Sequence, residues 1–179
     1  MSVATLPAGH RHWTRELADA VLPDGMQRRE VLEGELVVPV NAPHPRHQVA
    51  VATLFEQLIR ARPPGWYVLT SPLDVPMPWG DVAQPDLVVC SPDQLDLDTG
   101  VTAPPALVLE VLSPGTRRHD LVVKRRLFER LGIERYVIVD LHGPEMTLLG
   151  QDPDGRLVEV SRAASIELTE PFPVRLALA

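Results

Sequence analysis

The sequence predicts an α/β or α+β domain, a mixed β-sheet with a few helices around it. Two observations carry that expectation. Three short apolar runs, Leu87–Cys90, Ala106–Leu112 and the RYVIVDL stretch at 135–141, read as buried strands. A charged amphipathic run, Arg117–Leu131, separates the second from the third. A strand, a helix and a strand in that order require a βαβ crossover, and so a sheet with some parallel pairing.

The other elements follow in chain order. Residues 1–12 read as a loose N-terminal segment, and 13–179 as a single domain. Trp13–Leu22 has the pattern of a short helix ended by an LPDG turn. Leu32–Val40 reads as a strand, with Gly34 marking a tight turn. Arg46–Ala61 spaces Val49, Val51, Ala52, Leu54, Phe55, Leu58 and Ile59 as a helix does, and RPPG stops it. Trp66–Met77 is strand-like, and Pro85 leads into Leu87–Cys90. Residues 91–105 are acidic and loop-like, and Gly132 is placed to stop the helix that begins at Arg117. From Glu145 onward, short strands alternate with turns to the end of the chain.

Composition narrows the function classes. With 179 residues, 45% hydrophobic and 23% charged, the chain can build one proper core and is too apolar to be disordered. Its one cysteine, Cys90, excludes an intrachain disulfide and a cysteine-rich zinc site, and reads as a core thiol. No signal-peptide pattern precedes Trp13, and no run approaches the ~20 apolar residues of a membrane helix. The expected location is cytoplasmic, with no membrane partner. A net charge of −7 argues against a large non-specific nucleic-acid footprint but allows a local one. Arg117, Arg118, Lys124, Arg125, Arg126 and Arg130 form a basic run, which most often means a solvated helix face.

Two charges sit where apolar residues belong. Glu110 lies inside the strand LVLEVL, and burying it unpaired costs several kcal/mol, on the order of a small domain's whole stability. On a helical wheel with Leu121 at zero, Lys124 falls near ~300° and Asp120 near ~260°, inside the arc of Phe128, Leu131, Leu127 and Val123. Arg125, Arg126 and Glu129 fall on the opposite face. Asp120 and Lys124, at i and i+4, either pair only with each other or face a functional cleft, and the wheel weighs the two equally.

The strands add two carboxylates. Asp86 shares a strand face with Val88 and Cys90, and Glu110 with Val108 and Leu112. Neighbouring strands would bring the two together, where they repel unless a cation lies between them. Hard oxygen ligands suit Mg²⁺ or Mn²⁺. A lysine close by would orient water or stabilise charge developing on a phosphate. That set reads as phosphodiester hydrolysis.

The motifs QPDLVV and EVLSPGT, followed by the D…K pair in the helix, resemble the PD-(D/E)xK nuclease superfamily. More narrowly they resemble the Uma-type family of restriction-endonuclease-like proteins. LPDGMQRREVLEGELVVPVNAPHPRH is similar to that family's N-terminal block, and EVLSPGTRRHDLVVKRRLFERLGIERYVIVD to its central block. Pro-Asp alone is common; the ordered set over most of the chain carries the resemblance. It implies a restriction-endonuclease-like mixed sheet flanked by helices, with extra strands at both ends. It also implies a metal-dependent endonuclease that cuts DNA as a homodimer. Asp86 and Glu110 match the metal-binding acids. Leu112 stands where the superfamily usually has its lysine, and Lys124 matches the lysine moved to the next helix. Glu30 matches an early glutamate that would complete the metal shell, and His47 matches the family's histidine. Arg29, and Tyr136 followed by Val137, stand where the family often has Tyr and Tyr-Trp.

On the residues alone, His44 and His47 of HPRH read as a loop, with His47 lining the cleft. Glu30, Glu33 and Glu35 read as solvated. Asp140 reads either as a cap or as a cleft residue, and Ser113–Thr116 lacks a histidine that would make Ser113 a nucleophile. Two other classes compete with the endonuclease: a catalytically idle module binding nucleic acid or protein, and a Mg²⁺-dependent phosphohydrolase acting on small substrates.

Overall fold

In the computed structural model, which describes residues 2–178 apart from 4, 5, 8, 10, 23–27, 39–41, 114–116, 118 and 144, the apolar runs fold as strands. The chain begins with β1 (Ser2–Val3), α1 (Arg15–Val21), β2 (Glu30–Leu32) and β3 (Glu35–Val38). Then come α2 (Pro45–Ala61), β4 (Tyr67–Thr70), β5 (Val75–Pro76), β6 (Val82–Ala83) and β7 (Leu87–Cys90). A short ribbon of β8 (Leu95–Asp96) and β9 (Gly100–Val101) lies in the acidic stretch ahead of β10 (Leu107–Val111). A π-helical turn, His119–Lys124, runs straight into α3 (Arg125–Leu131), followed by β11 (Arg135–Asp140). The last strands are β12 (Glu145–Gln151), β13 (Leu157–Ala163), β14 (Ser165–Leu168) and β15 (Val174–Ala177).

The main sheet has six strands in the order β13-β12-β11-β10-β7-β4. Strands β10 and β11 are parallel, joined by the expected helical crossover, and the other pairs are antiparallel. Strands β7 and β10 are buried along their whole length because both faces of the sheet are covered. On one face, Leu87, Val89, Leu107 and Leu109 meet Leu54 and Leu58 of α2 and Ile166 and Leu176 of the β14–β15 ribbon. On the other face, Val108 and Leu112 meet Leu127 and Phe128 of α3, together with Leu32 and Val37 of a smaller sheet ordered β1-β3-β2-β6-β5. The result is a layered α+β fold with a mixed sheet in the middle.

Three local features depart from the sequence reading. The strand expected over Leu32–Val40 is a hairpin, β2 and β3, turning at Glu33 and Gly34. Both turn residues have positive φ, 53° and 77°, as the tightest hairpin turns require. A Cβ on Gly34 would lie 2.8 Å from His12 Nδ1, so space as well as backbone conformation favours glycine there. The amphipathic run after Arg117 opens as a wide π turn instead of an α-helix, and becomes α-helical only from Arg125. The LPDG turn, residues 39–40 of the first expected strand and residues 114–116 lie outside the described residues. Gly132 ends α3 in the left-handed region at φ 88°, its N–H donating to the carbonyls of Phe128 and Glu129.

Candidate active site

The register of two strands places the first two charges. Strand β10 runs antiparallel to β7 with Leu109 opposite Leu87, which sets Glu110 level with Asp86 on the same sheet face. Both side chains are almost wholly buried. Asp86 Oδ2 accepts from the backbone N–H of Val111 at 2.8 Å and lies 3.1 Å from His47 Nε2. Asp86 Oδ1 accepts from Arg28 Nη1 at 2.8 Å. The other end of that guanidinium, Nη2, donates to the Gln84 carbonyl and stands 3.6 Å from Glu110 Oε2.

Lys124 enters from the junction of the π turn and α3. Its Nζ donates to Glu110 Oε1 at 2.6 Å and lies 2.9 Å from Glu30 Oε1 and 3.3 Å from Asp120 Oδ1. The two readings of Lys124 therefore merge: it pairs with Asp120 and also faces the strand carboxylates. The π turn is braced by the Tyr136 hydroxyl, which donates to the Asp120 carbonyl at 2.9 Å from below, on β11. Glu30, on β2, is fixed by the Gln84 backbone N–H at 2.7 Å.

All six residues singled out from the sequence converge here: Asp86, Glu110, Lys124, Glu30, His47 and Asp120. Two expectations need correcting. His47 is not in a loop; it lies buried in the first turn of α2, behind His44, whose ring caps the helix by accepting from the N–H of Arg46. Glu30 is buried instead of solvated, whereas Glu33 and Glu35 are exposed as expected. Asp140 lies apart from the cluster; it accepts from Arg117 at 2.6 Å and from the N–H of His142. Cys90 is a core thiol, and burial pushes its pKa up to about 11.

Arg28 and Gln84 were not anticipated. A run such as QRRE gives no periodic cue, but the excess of acids was itself a signal. Glu30, Asp86, Glu110 and Asp120 carry four negative charges when ionised, and Lys124 alone cannot offset them.

Burial pushes Asp86, Glu110 and Lys124 towards neutrality, and their neighbours decide which of them resist. For Asp86, the His47 hydrogen bond and the Arg28 guanidinium outweigh burial and hold the carboxyl below the usual carboxylate range. Glu110 goes the other way. Burial, with Asp120 and Asp86 beside it, raises its pKa well above the ordinary value in spite of Lys124 and Arg28. Lys124 is buried too, but Glu110, Glu30 and Asp120 together hold its proton more tightly than usual. The pair is thus pulled in one direction: both Lys124 and Glu110 hold their protons more tightly than in water.

The donor set is oxygen-rich and net negative, which fits a hard divalent cation. Among the described residues no three His, Cys, Asp or Glu side chains are already gathered as a metal shell, since these oxygens turn to Lys124, Arg28 and His47 instead.

The sequence as a whole agrees with this geometry. The model of the Uma2 family, described as "Putative restriction endonuclease", matches residues 19–179. The chain belongs to the Uma2 family. No curated protein matches it. Its fold is similar to the crystal structure of a "putative nuclease belonging to DUF820" from Anabaena variabilis ATCC 29413, with a TM-score of 0.69 at 13% identity over 89% of each chain. At that identity the likeness speaks for the fold. In this Uma2 member Leu112 is packed into the core with Val108 and Phe128, and Lys124 is the lysine that reaches Glu110. A cavity of about 530 Å³ opens beside the cluster, with Arg28, His47 and Asp86 at its polar end and Val51, Phe55 and Pro72 along its wall.

Proposed function

We propose that the chain is a metal-dependent endonuclease that hydrolyses DNA phosphodiester bonds through one nuclease-like domain spanning residues 13–179. The observation that carries this is the convergence of Asp86, Glu110, Glu30 and Lys124, four buried charges from four separate elements, beside an open cavity. Asp86 and Glu110 would hold Mg²⁺ or Mn²⁺, with Glu30 in support. Such an ion supplies Lewis acidity to the phosphoryl oxygens and a more acidic water as nucleophile. Lys124 keeps its proton among three carboxylates, so it acts as a fixed positive charge and hydrogen-bond donor, not as a base. His47, bonded to Asp86 through Nε2, orients that carboxylate from α2. Asp120 steadies Lys124.

The test is a titration with Mn²⁺ followed by plasmid cleavage. Added cation should raise the melting temperature of the wild-type protein, because it binds only the folded carboxylate pair. Asp86→Asn and Glu110→Gln should abolish both that rise and the cutting. A wild-type protein that neither shifts nor cuts would favour the idle binding module, a reading that draws support from Arg28 and Lys124 already occupying the carboxylates. Cutting both strands of a duplex calls for two sites related by a two-fold axis. The protein is accordingly proposed to be a homodimer, which light scattering at micromolar concentration would detect.

A further inference from the structure

Arg28 takes no part in the hydrolysis proposed above, yet it is the side chain that touches both metal-binding candidates. We propose that Arg28 is a place-holding cation: its guanidinium occupies the Asp86–Glu110 pair until a divalent ion displaces it, so that arginine and metal compete for the same oxygens. This rests on the metal-dependent reading of that pair.

Three observations carry it. The guanidinium bridges the two acids, one nitrogen 2.8 Å from Asp86 Oδ1 and the other 3.6 Å from Glu110 Oε2. A hard ion held by both acids would need those oxygens, and two cations cannot share them without strong repulsion. The arginine is also not forked on either carboxylate. Arginine–carboxylate pairs are frequently bidentate, with two parallel short bonds to one carboxylate. Here one nitrogen makes a single short carboxylate contact, the other donates to the backbone carbonyl of Gln84, and Arg28 Nε is buried without a hydrogen-bond partner among the described residues. Finally, the arginine has somewhere to go. Its side chain remains 24% exposed, whereas those of Asp86 and Glu110 are 4% and 1% exposed, and it lines the cavity beside the cluster. Lys124, 1% exposed behind Glu110, has no such route. Of the two cations on Glu110, Arg28 is the one that can leave.

The experiment compares Mn²⁺ affinity, by calorimetry without DNA, in wild type, Arg28→Gln and Arg28→Lys. Removing the competing charge should tighten Mn²⁺ binding by on the order of tenfold or more in Arg28→Gln, and by much less in Arg28→Lys. Without metal, Arg28→Gln should melt lower than wild type; with saturating Mn²⁺ the gap should close. Equal Mn²⁺ affinity in all three proteins would overturn the proposal while leaving the metal site intact. Absence of Mn²⁺ binding in every protein would overturn both, and a metal site whose affinity falls in Arg28→Gln would make the arginine a supporting residue instead. Should the variants fail to fold, the wild type still decides. Its Arg28 side-chain nitrogen signals in NMR should move when Mg²⁺ is added, and signals that stay fixed through saturation would overturn the exchange.

Discussion

Lys124 stands 2.6 to 3.3 Å from three carboxylates and is sealed from water. Its removal strands Glu30, Glu110 and Asp120 against one another in a dry interior. We expect Lys124→Met to lower stability by about 3–5 kcal/mol, the range for breaking a buried ion pair. Chemical denaturation without metal measures this, and added Mn²⁺ should restore part of the loss. Glu110 gives the matching pH signature. Its pKa is raised in the folded state, so above the unfolded value of ~4.3 the native protein holds a proton that the unfolded chain has lost. Stability of the metal-free protein should therefore decline as pH rises from that value towards the raised one. Asp86, with its pKa depressed, contributes the opposite slope, losing its contribution as pH falls below ~3.9. Glu110→Gln should flatten the neutral-side decline and leave the acid side unchanged, a difference that melting curves across pH will show.

The π turn is the element on which Lys124 depends. Its backbone bonds span one residue more than those of an α-helix, and the Tyr136 hydroxyl donates to the carbonyl of Asp120. Tyr136→Phe should cost about 1 kcal/mol or somewhat more, since a buried acceptor loses its donor; denaturant midpoints will measure it. This turn also marks where the sequence stopped being legible. The wheel placed Asp120 and Lys124 inward correctly, because residues four apart share a face in either kind of turn, but nothing in HDLVVK distinguishes a π turn from an α-helix. The buried strands and the crossover were readable because β7 is apolar throughout and β10 apolar but for Glu110, and a polar residue in such a run announces itself. Glu30 was opaque for the opposite reason. It sits among Arg28, Arg29 and Glu33, where charge is ordinary, and its burial follows from the place of β2 between β3 and β6. Arg28 was invisible because its partners lie more than fifty residues away.

At the scale of the whole molecule, most of the described charges of the basic run are paired, stacked or buried. Arg117 pairs with Asp140 and Arg126 with Glu33, Arg130 lies 3.8 Å above the Trp79 ring, and Lys124 is buried. The net charge of −7 opposes a broad phosphate footprint. DNA binding should accordingly depend weakly on salt, with a log–log slope on the order of −3 instead of the roughly −10 of an extensive binder. Fluorescence anisotropy between 50 and 200 mM salt covers the informative range, over which the Debye length falls roughly twofold. A steep slope would mean that phosphates meet a broader surface than these pairings leave available.

The charge cluster draws on β2, α2, β7, β10 and the π turn, and so on residues scattered from Arg28 to Lys124. During synthesis, at ~5–20 residues per second, no early stretch of the chain holds the set. The acids and the lysine stay apart in water until β10 has paired with β7 and the crossover has closed over them. A nascent or truncated chain ending before Lys124 therefore lacks the buried cation behind Glu110, and only Arg28 offsets its carboxylates. For the endonuclease proposed above, this topology sets an order: the site can form only after Lys124 has been made and the crossover has closed.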